Sequence, residues 1–298
     1  MKSTLTKYYN YSLLLLFYVS SFTYGQSNTI ESMDRVADPY TEDWASLGKH
    51  QEAPQWFKDA KLGIYFHWGL YSVPAFSSEW YPRNMHFKDH DVYKHHVEKY
   101  GEPSEFGYHD FAPMFKAEHF NPGEWADLFQ KAGARFAGPV AEHHDGYSMW
   151  DSELTPWNVM DTGPHRDITG ELEKAIKGKG MKFITAFHHA KNLQRSTELG
   201  VENPRSHYPY FEGIPPSSDD PELQYMYGNM DPEKWYDEIW LGKMKEVIGK
   251  YHPDIIWFDY VLGDIPEKYR KKFAAYYLND ATKRDQEVVV VRKQHDLP

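Results

Sequence analysis

Polar residues able to do chemistry recur in this chain at the ends of short apolar runs. His67-Trp68-Gly69 follows the run 62–66, with Ser78-Glu79-Trp80-Tyr81 in the loop beyond it. Glu142-His143-His144-Asp145-Gly146-Tyr147 follows the run 135–140, and Phe187-His188-His189 closes the run 181–187. Trp257-Phe258-Asp259-Tyr260 closes the run 254–258, and Arg292 ends the run 287–291. A pyranose offers hydroxyls that need donors and acceptors, which imidazoles and carboxylates supply, and an apolar ring face that an indole covers. A retaining glycosidase needs a carboxylate nucleophile and a protonated carboxyl about 5 Å away. Asp259, between aromatic neighbours, suits the nucleophile, and Arg292 would favour its ionised form by opposite charge. Singly, each residue has a plainer use. His67 could be a core histidine, Glu79 a cap or a surface ion pair, Asp259 the N-cap of a following helix, and Arg292 part of a structural salt bridge. Their concurrence at strand ends points to a sugar-type active site.

The elements that must position these residues follow a repeating grammar. Helical stretches at 168–177, 232–251 and 265–278, and one opening at Asn121-Pro122-Gly123-Glu124, alternate with the apolar runs. Asn121 suits an N-cap and Pro122 a first helical position. Strands separated by helices predict βαβ units and a parallel sheet. Polar clusters just after the strands predict a (β/α)8 TIM barrel, whose sites lie at the C-terminal ends of the strands. No Gly-rich turn follows the first strand, which argues against a doubly wound nucleotide-binding sheet. Five strands are fewer than a barrel's eight, and an open parallel sheet leaves its edges uncovered. The expectation is therefore an α/β barrel truncated after about five strands, the alternative being a complete, smaller α/β sheet.

Bulk properties narrow the class. Of 298 residues, 41% are hydrophobic, enough for a sizeable core. An aromatic share of 17% suits ring-on-sugar stacking as well as an aromatic-rich core. Lys and Arg number 33 against 44 Asp and Glu, a net charge of −11, which disfavours nucleic acid and anionic membranes as partners. Cysteine is absent, excluding disulfides, thiolate metal sites and a cysteine nucleophile. Residues 1–25 have the basic, apolar, small-residue order of a signal peptide, which predicts export to the periplasm or outside; an N-terminal anchor helix is the alternative. The lead-in is 26–55, and 56–298 is the barrel part. Adjacent strand residues face opposite ways, so His143-His144 and His188-His189 are not expected to ligate one ion, and no metal or cofactor is predicted. His95-His96 is placed on a solvated surface within a polar loop, 86–110.

From about Trp56 to the end, the chain resembles glycoside hydrolase family 29, the α-L-fucosidases. The resemblance is carried by Phe66-His67-Trp68-Gly69, Glu79-Trp80-Tyr81, His143-His144-Asp145-Gly146-Tyr147, Gly163-Pro164-His165-Arg166-Asp167 and Ile256-Trp257-Phe258-Asp259. It implies that Asp259 attacks the fucosyl anomeric carbon and that His67, Glu79, Trp80, His143 and His144 hold the sugar. Trp257 would line the pocket floor, Arg292 would match an arginine after the fifth strand, and the Gly-Pro-His-Arg-Asp run would anchor a loop. The implied partner is a fucosylated glycan or polysaccharide, cleaved through a covalent fucosyl-Asp intermediate. Two departures stand out. The family usually has a tyrosine at the end of the third strand, where this chain has His188. The family's acid/base carboxylate usually lies past the fifth strand, and neither Asp264 nor Glu267 is expected to replace it. A non-catalytic fucose-binding protein, an inactive fragment lacking the general acid, and a different retaining barrel glycosidase are the competing readings.

Overall fold

The structure is a computed structural model that describes residues 38–50, 53–195, 206–259, 262–293 and 297. The expected signal peptide lies outside them. Among the described residues no helix is long and apolar enough to cross a membrane. The lead-in contains a short helix, α1 (Trp44–Leu47), N-capped by Asp43, and α2 (Gln55–Ala60) follows.

The five expected strands are present: β1 (Gly63–Phe66), β2 (Phe136–Glu142), β3 (Lys182–Phe187), β4 (Ile255–Phe258) and β5 (Val289–Arg292). They form one parallel sheet in the order β1-β2-β3-β4-β5, each strand beside the next in sequence. Between β1 and β2 lie α3 (Tyr81–Asn84), α4 (Asp91–Tyr100) and α5 (Pro122–Lys131). Asn121 caps α5 through the amides of Gly123 and Glu124, as its sequence signature requires. The helix α4 replaces the expected polar loop. It is capped by the His90 side chain, and His96 is fully buried rather than solvated, its ring bonded to Tyr81 Oη and Phe106 O at 2.9 Å each. Helix α6 (Ile168–Gly178) joins β2 to β3. The connection to β4 carries α7 (Pro221–Tyr227), α8 (Pro232–Lys234), a π-helical segment Trp235–Leu241 and α9 (Gly242–Tyr251), and α10 (Glu267–Lys283) leads to β5. The expected single helix 232–251 is thus wound as α, π and α in succession.

Strand alternation divides the sheet into two faces. On one face Phe66 packs on Trp125 and Phe129 of α5, and Phe258 packs on Trp240 and Phe273. On the other face Ile184, Ile255 and Val289 pack with Tyr65, Phe136, Trp257 and Val291, and Trp56 and Phe57 of α2 close this inner layer. Gly63 is needed there, since a β-carbon would lie 2.0 Å from the Phe136 ring. Tyr65 of β1 stacks on Trp257 of β4 at 5.4 Å, although two strands separate them in the sheet. The inner face is therefore concave.

A β-bulge in β2 sets the phase at its end. Val140 pairs with Ala186 and Glu142 with Phe187, so two residues of β2 advance against one of β3. Glu142 consequently turns to the helical face, where Lys243 Nζ of α9 donates to both its oxygens at 2.9 and 2.7 Å and Ser148 Oγ donates at 2.7 Å. Both charged side chains are buried. Replacing Lys243 by Met strands the carboxylate and should cost about 3–5 kcal/mol in urea unfolding. Adding Glu142→Gln should recover much of that loss. A single variant as stable as the wild type would show that the pair is not closed in solution.

Candidate active site

The inner row of each strand ends in a polar residue. Along β1 it runs Gly63, Tyr65 and then His67, and along β3 it runs Ile184, Ala186 and then His188. In β4 it reads Ile255, Trp257 and then Asp259, and in β5 Val289, Val291 and then Lys293. The bulge brings His143 into the same row at the end of β2. The His67, His143 and His188 rings lie 4.8–5.5 Å apart by centroid. Asp259 Oδ2 stands 3.9 Å from His188 Nδ1, and its Oδ1 is 3.0 Å from Lys293 Nζ. That hydrogen bond holds the Lys293 ammonium above its ordinary range.

His144 also reaches this pocket, its ring 4.7 Å from His143 and 5.6 Å from His188. The alternation argument does not reach this pair, because β2 ends at Glu142; both rings enter the pocket, although His144 does not share the grouping of nitrogens that includes His143. Alternation holds for His188-His189: His189 turns to the helical face and stacks on Trp240, 6.1 Å away. Gly146 makes the turn after His143-His144-Asp145 with φ +80, and a β-carbon there would meet Met226 O at 2.2 Å. Only glycine suits that position.

The loop after β1 covers the histidines. Trp80 precedes α3, and its ring lies 5.3 Å from His144, 6.1 Å from His143 and 5.5 Å from His207. Glu79 is half-buried; desolvation lowers the His67 imidazole below its ordinary value, and the charges of Glu79 and Asp259 only partly oppose that. The structure thus assembles His67, Glu79, Trp80, His143, His144, His188, Trp257 and Asp259. Arg292 is placed elsewhere. It pairs in register with Phe258 and so lies on the opposite face from Asp259, in a groove with Trp44, Leu47 and Ala274. The next residue, Lys293, is the cation that meets Asp259.

Sequence reasoning missed Lys293 and His207. His207 is fully buried, 5.5 Å from His144 and 4.9 Å from Tyr208 by ring centroid, and it belongs to no local motif. The Gly-Pro-His-Arg-Asp run behaves as a loop anchor. Asp167 caps α6 and accepts from Tyr251 Oη at 2.9 Å, and Arg166 pairs with Glu171 and Phe120 O. Glu267 is spent outside the pocket, on Trp44 Nε1 and Lys271.

The buried rings are neutral. Desolvation pushes His143, His144 and His207 well below the ordinary imidazole value, aided by neighbouring histidines, and takes His188 to about 3. His143 Nδ1, His144 Nδ1, His188 Nε2, both His207 ring nitrogens and Trp257 Nε1 have no hydrogen-bond partner among the described residues. Buried polar atoms are normally satisfied, so a cluster of unpaired donors and acceptors marks a place where a polar ligand makes the missing bonds. One nitrogen from each of His67, His143 and His188 lies within 4.8 Å of the others, the one grouping of metal-capable side chains found among the described residues.

The alpha-L-fucosidase family model matches residues 28–297. The chain belongs to the alpha-L-fucosidase family. It is 33% identical over 259 residues to the tissue alpha-L-fucosidase of Rattus norvegicus, covering 84% of this chain and 49% of that protein. Against the plasma alpha-L-fucosidase of Homo sapiens it is 33% identical over 247 residues, covering 81% and 46%. The chain spans about half the length of these curated relatives. Among solved structures, the alpha-fucosidase of Thermotoga maritima in complex with fucose superposes with a TM-score of 0.65 at 32% identity, over 84% of this chain and 55% of that one.

The buried histidines set an acid limit on stability. His86, His188 and His189 have folded values of about 3, 3 and 4, below the unfolded value of about 6.5. Their neutral forms stabilise the fold above pH 6.5, and that stability is lost as pH falls toward 3–4, because the unfolded chain binds protons the folded chain refuses. At pH 5 each costs about 2 kcal/mol. Asp145, raised to about 7 by burial, acts with the opposite sign and offsets about one of them. Thermal scans from pH 7 to 5 should show a steady fall in Tm; a flat profile would mean that these rings are hydrated and titrate normally.

Proposed function

We propose that this chain carries the fucose pocket and the nucleophile of a retaining α-L-fucosidase acting on fucosylated glycans or polysaccharides. The observation that carries this reading is the place of Asp259: at the end of β4, on the concave face, with unpaired imidazoles and Trp257 around it. His67, His143, His144 and Glu79 would bind the sugar hydroxyls, and Trp80 and Trp257 would cover its ring. The Asp259 carboxylate would attack the anomeric carbon as the bond to the leaving oxygen breaks, and water would then hydrolyse the fucosyl ester. A second carboxyl group protonates the leaving oxygen in such enzymes. His188 would meet a sugar hydroxyl with a ring nitrogen.

Sequential strand order, helices packed on the convex face and the contact between Tyr65 and Trp257 support reading the five strands as part of a (β/α)8 barrel. The leader-like sequence of residues 1–25 supports export.

A 2-deoxy-2-fluoro-fucosyl fluoride tests the nucleophile directly, because fluoride departs without a proton donor. Intact mass should show one fucosyl adduct per chain, on the peptide carrying Asp259, and Asp259→Asn should abolish it. A folded chain that binds fucose yet never forms the adduct would point instead to a fucose-binding protein without hydrolysis.

A further inference from the structure

We propose that His67, His143 and His188 form a binding site for a divalent transition metal, best matched to Zn2+, that overlaps the sugar pocket. These three imidazoles come from the ends of three consecutive strands. This departs from the expectation of no metal, which was argued from neighbouring histidines within one strand, whereas these three converge from different strands. One nitrogen of each ring already lies within 4.8 Å of the other two. Two of the three rings are nearly fully buried, and each of these has a nitrogen with no hydrogen-bond partner: His143 Nδ1 and His188 Nε2. Nothing else in the described protein engages those lone pairs or N–H groups.

The donor set selects the ion. Imidazole nitrogens suit Zn2+, Cu2+ and Ni2+ and not the oxygen-seeking Mg2+ or Ca2+. Three protein nitrogens with a fourth position left to water is the usual arrangement of an open zinc site. Zn–N bonds of about 2.0–2.1 Å imply nitrogens roughly 3.3 Å apart in a tetrahedron. The rings must therefore draw in by up to about 1.5 Å, and His67, the exposed member, has the room to turn. Glu79 and Asp259 add negative charge near the rings, since each acts on His67 and Asp259 also acts on His188. The Lys293 ammonium on the far oxygen of Asp259 partly opposes this. His144, although close, does not join the set of converging nitrogens.

A metal held there would occupy the positions of the sugar-facing imidazoles, so metal and sugar would exclude one another. That competition rests on the proposed fucose reading, whereas the metal site does not.

The test is a titration of the 298-residue chain, stripped with a chelator, with Co2+, read by the visible d–d bands of the bound ion. One Co2+ per chain, displaced by Zn2+, is expected. His188→Tyr and His67→Gln should each weaken binding by roughly tenfold or more, while His119→Gln, an exposed histidine outside the pocket, should leave it unchanged. Thermal unfolding of each variant separates a lost ligand from a lost fold, and His67, on the exposed rim, is the replacement least able to disturb packing. No stoichiometric cobalt signal, or a signal unchanged in both variants, would overturn the proposal. Labelling of Asp259 by the fluorosugar without any metal signal would sink the metal site and leave the hydrolase reading standing. Metal binding that excess L-fucose fails to displace would do the reverse for the sugar.

Discussion

One additional residue in β2 governs the composition of the site. The bulge between Val140 and Glu142 reverses the strand's phase just before it ends. In unbroken alternation Glu142 would follow Val140 onto the concave face, bringing a carboxylate among the histidines and leaving His143 among the helices. With the bulge, the carboxylate meets Lys243 on the convex face and the imidazole enters the pocket. The buried ion pair and the histidine cluster are therefore two outcomes of one backbone irregularity. The Glu142 carboxylate accepts from both Lys243 and Ser148, which gives the bulge a fixed outward anchor.

The pocket itself works against stability. Burying imidazole nitrogens without partners has a desolvation cost that packing elsewhere must offset. Here the offset lies on the convex face, in an aromatic layer that includes Trp150, Trp235, Trp240, Phe183 and Phe187, all fully buried. The same rings, once a polar ligand supplies their missing bonds, change from a cost into a recognition surface, and no large rearrangement of the backbone is needed to bring them together.

What the sequence disclosed follows from the same division. The five strands were legible because each is a short apolar run between turn signals, and their boundaries moved by at most two residues. The candidate site residues at the strand ends and in the loop after β1 were legible as a set, and eight of the nine converge, Arg292 being the exception. Arg292 was misplaced by a single step of alternation: it and Lys293 are both cationic, and residue type alone does not fix which faces inward. His144 was legible as a sugar-holding residue only through the family resemblance, because the sequence does not show where β2 stops and strand alternation ceases to apply. His207 had no motif to announce it, since it reaches the pocket from a distant connection rather than from a strand end. Helix α4 was hidden by its charged and histidine-rich surface, with only Val92 and His96 buried, too few to make an apolar stripe.

The inner rows explain why the site lies where it does. In β3, β4 and β5 the inward positions change from aliphatic to polar along the strand direction, and β1 follows with glycine, tyrosine and histidine. Trp56 and Phe57 of α2 pack against the apolar start of the strands, leaving the polar side chains at their C-terminal ends. A parallel sheet makes this gradient coherent, because every strand points the same way and the polar ends meet at one rim. Antiparallel strands with the same sequences would scatter His67, His188 and Asp259 to opposite edges. The chemistry of the pocket therefore depends on strand direction as much as on residue identity, and the long helical connections, which alone can return a chain to start a parallel strand, are what keep the rim in one place.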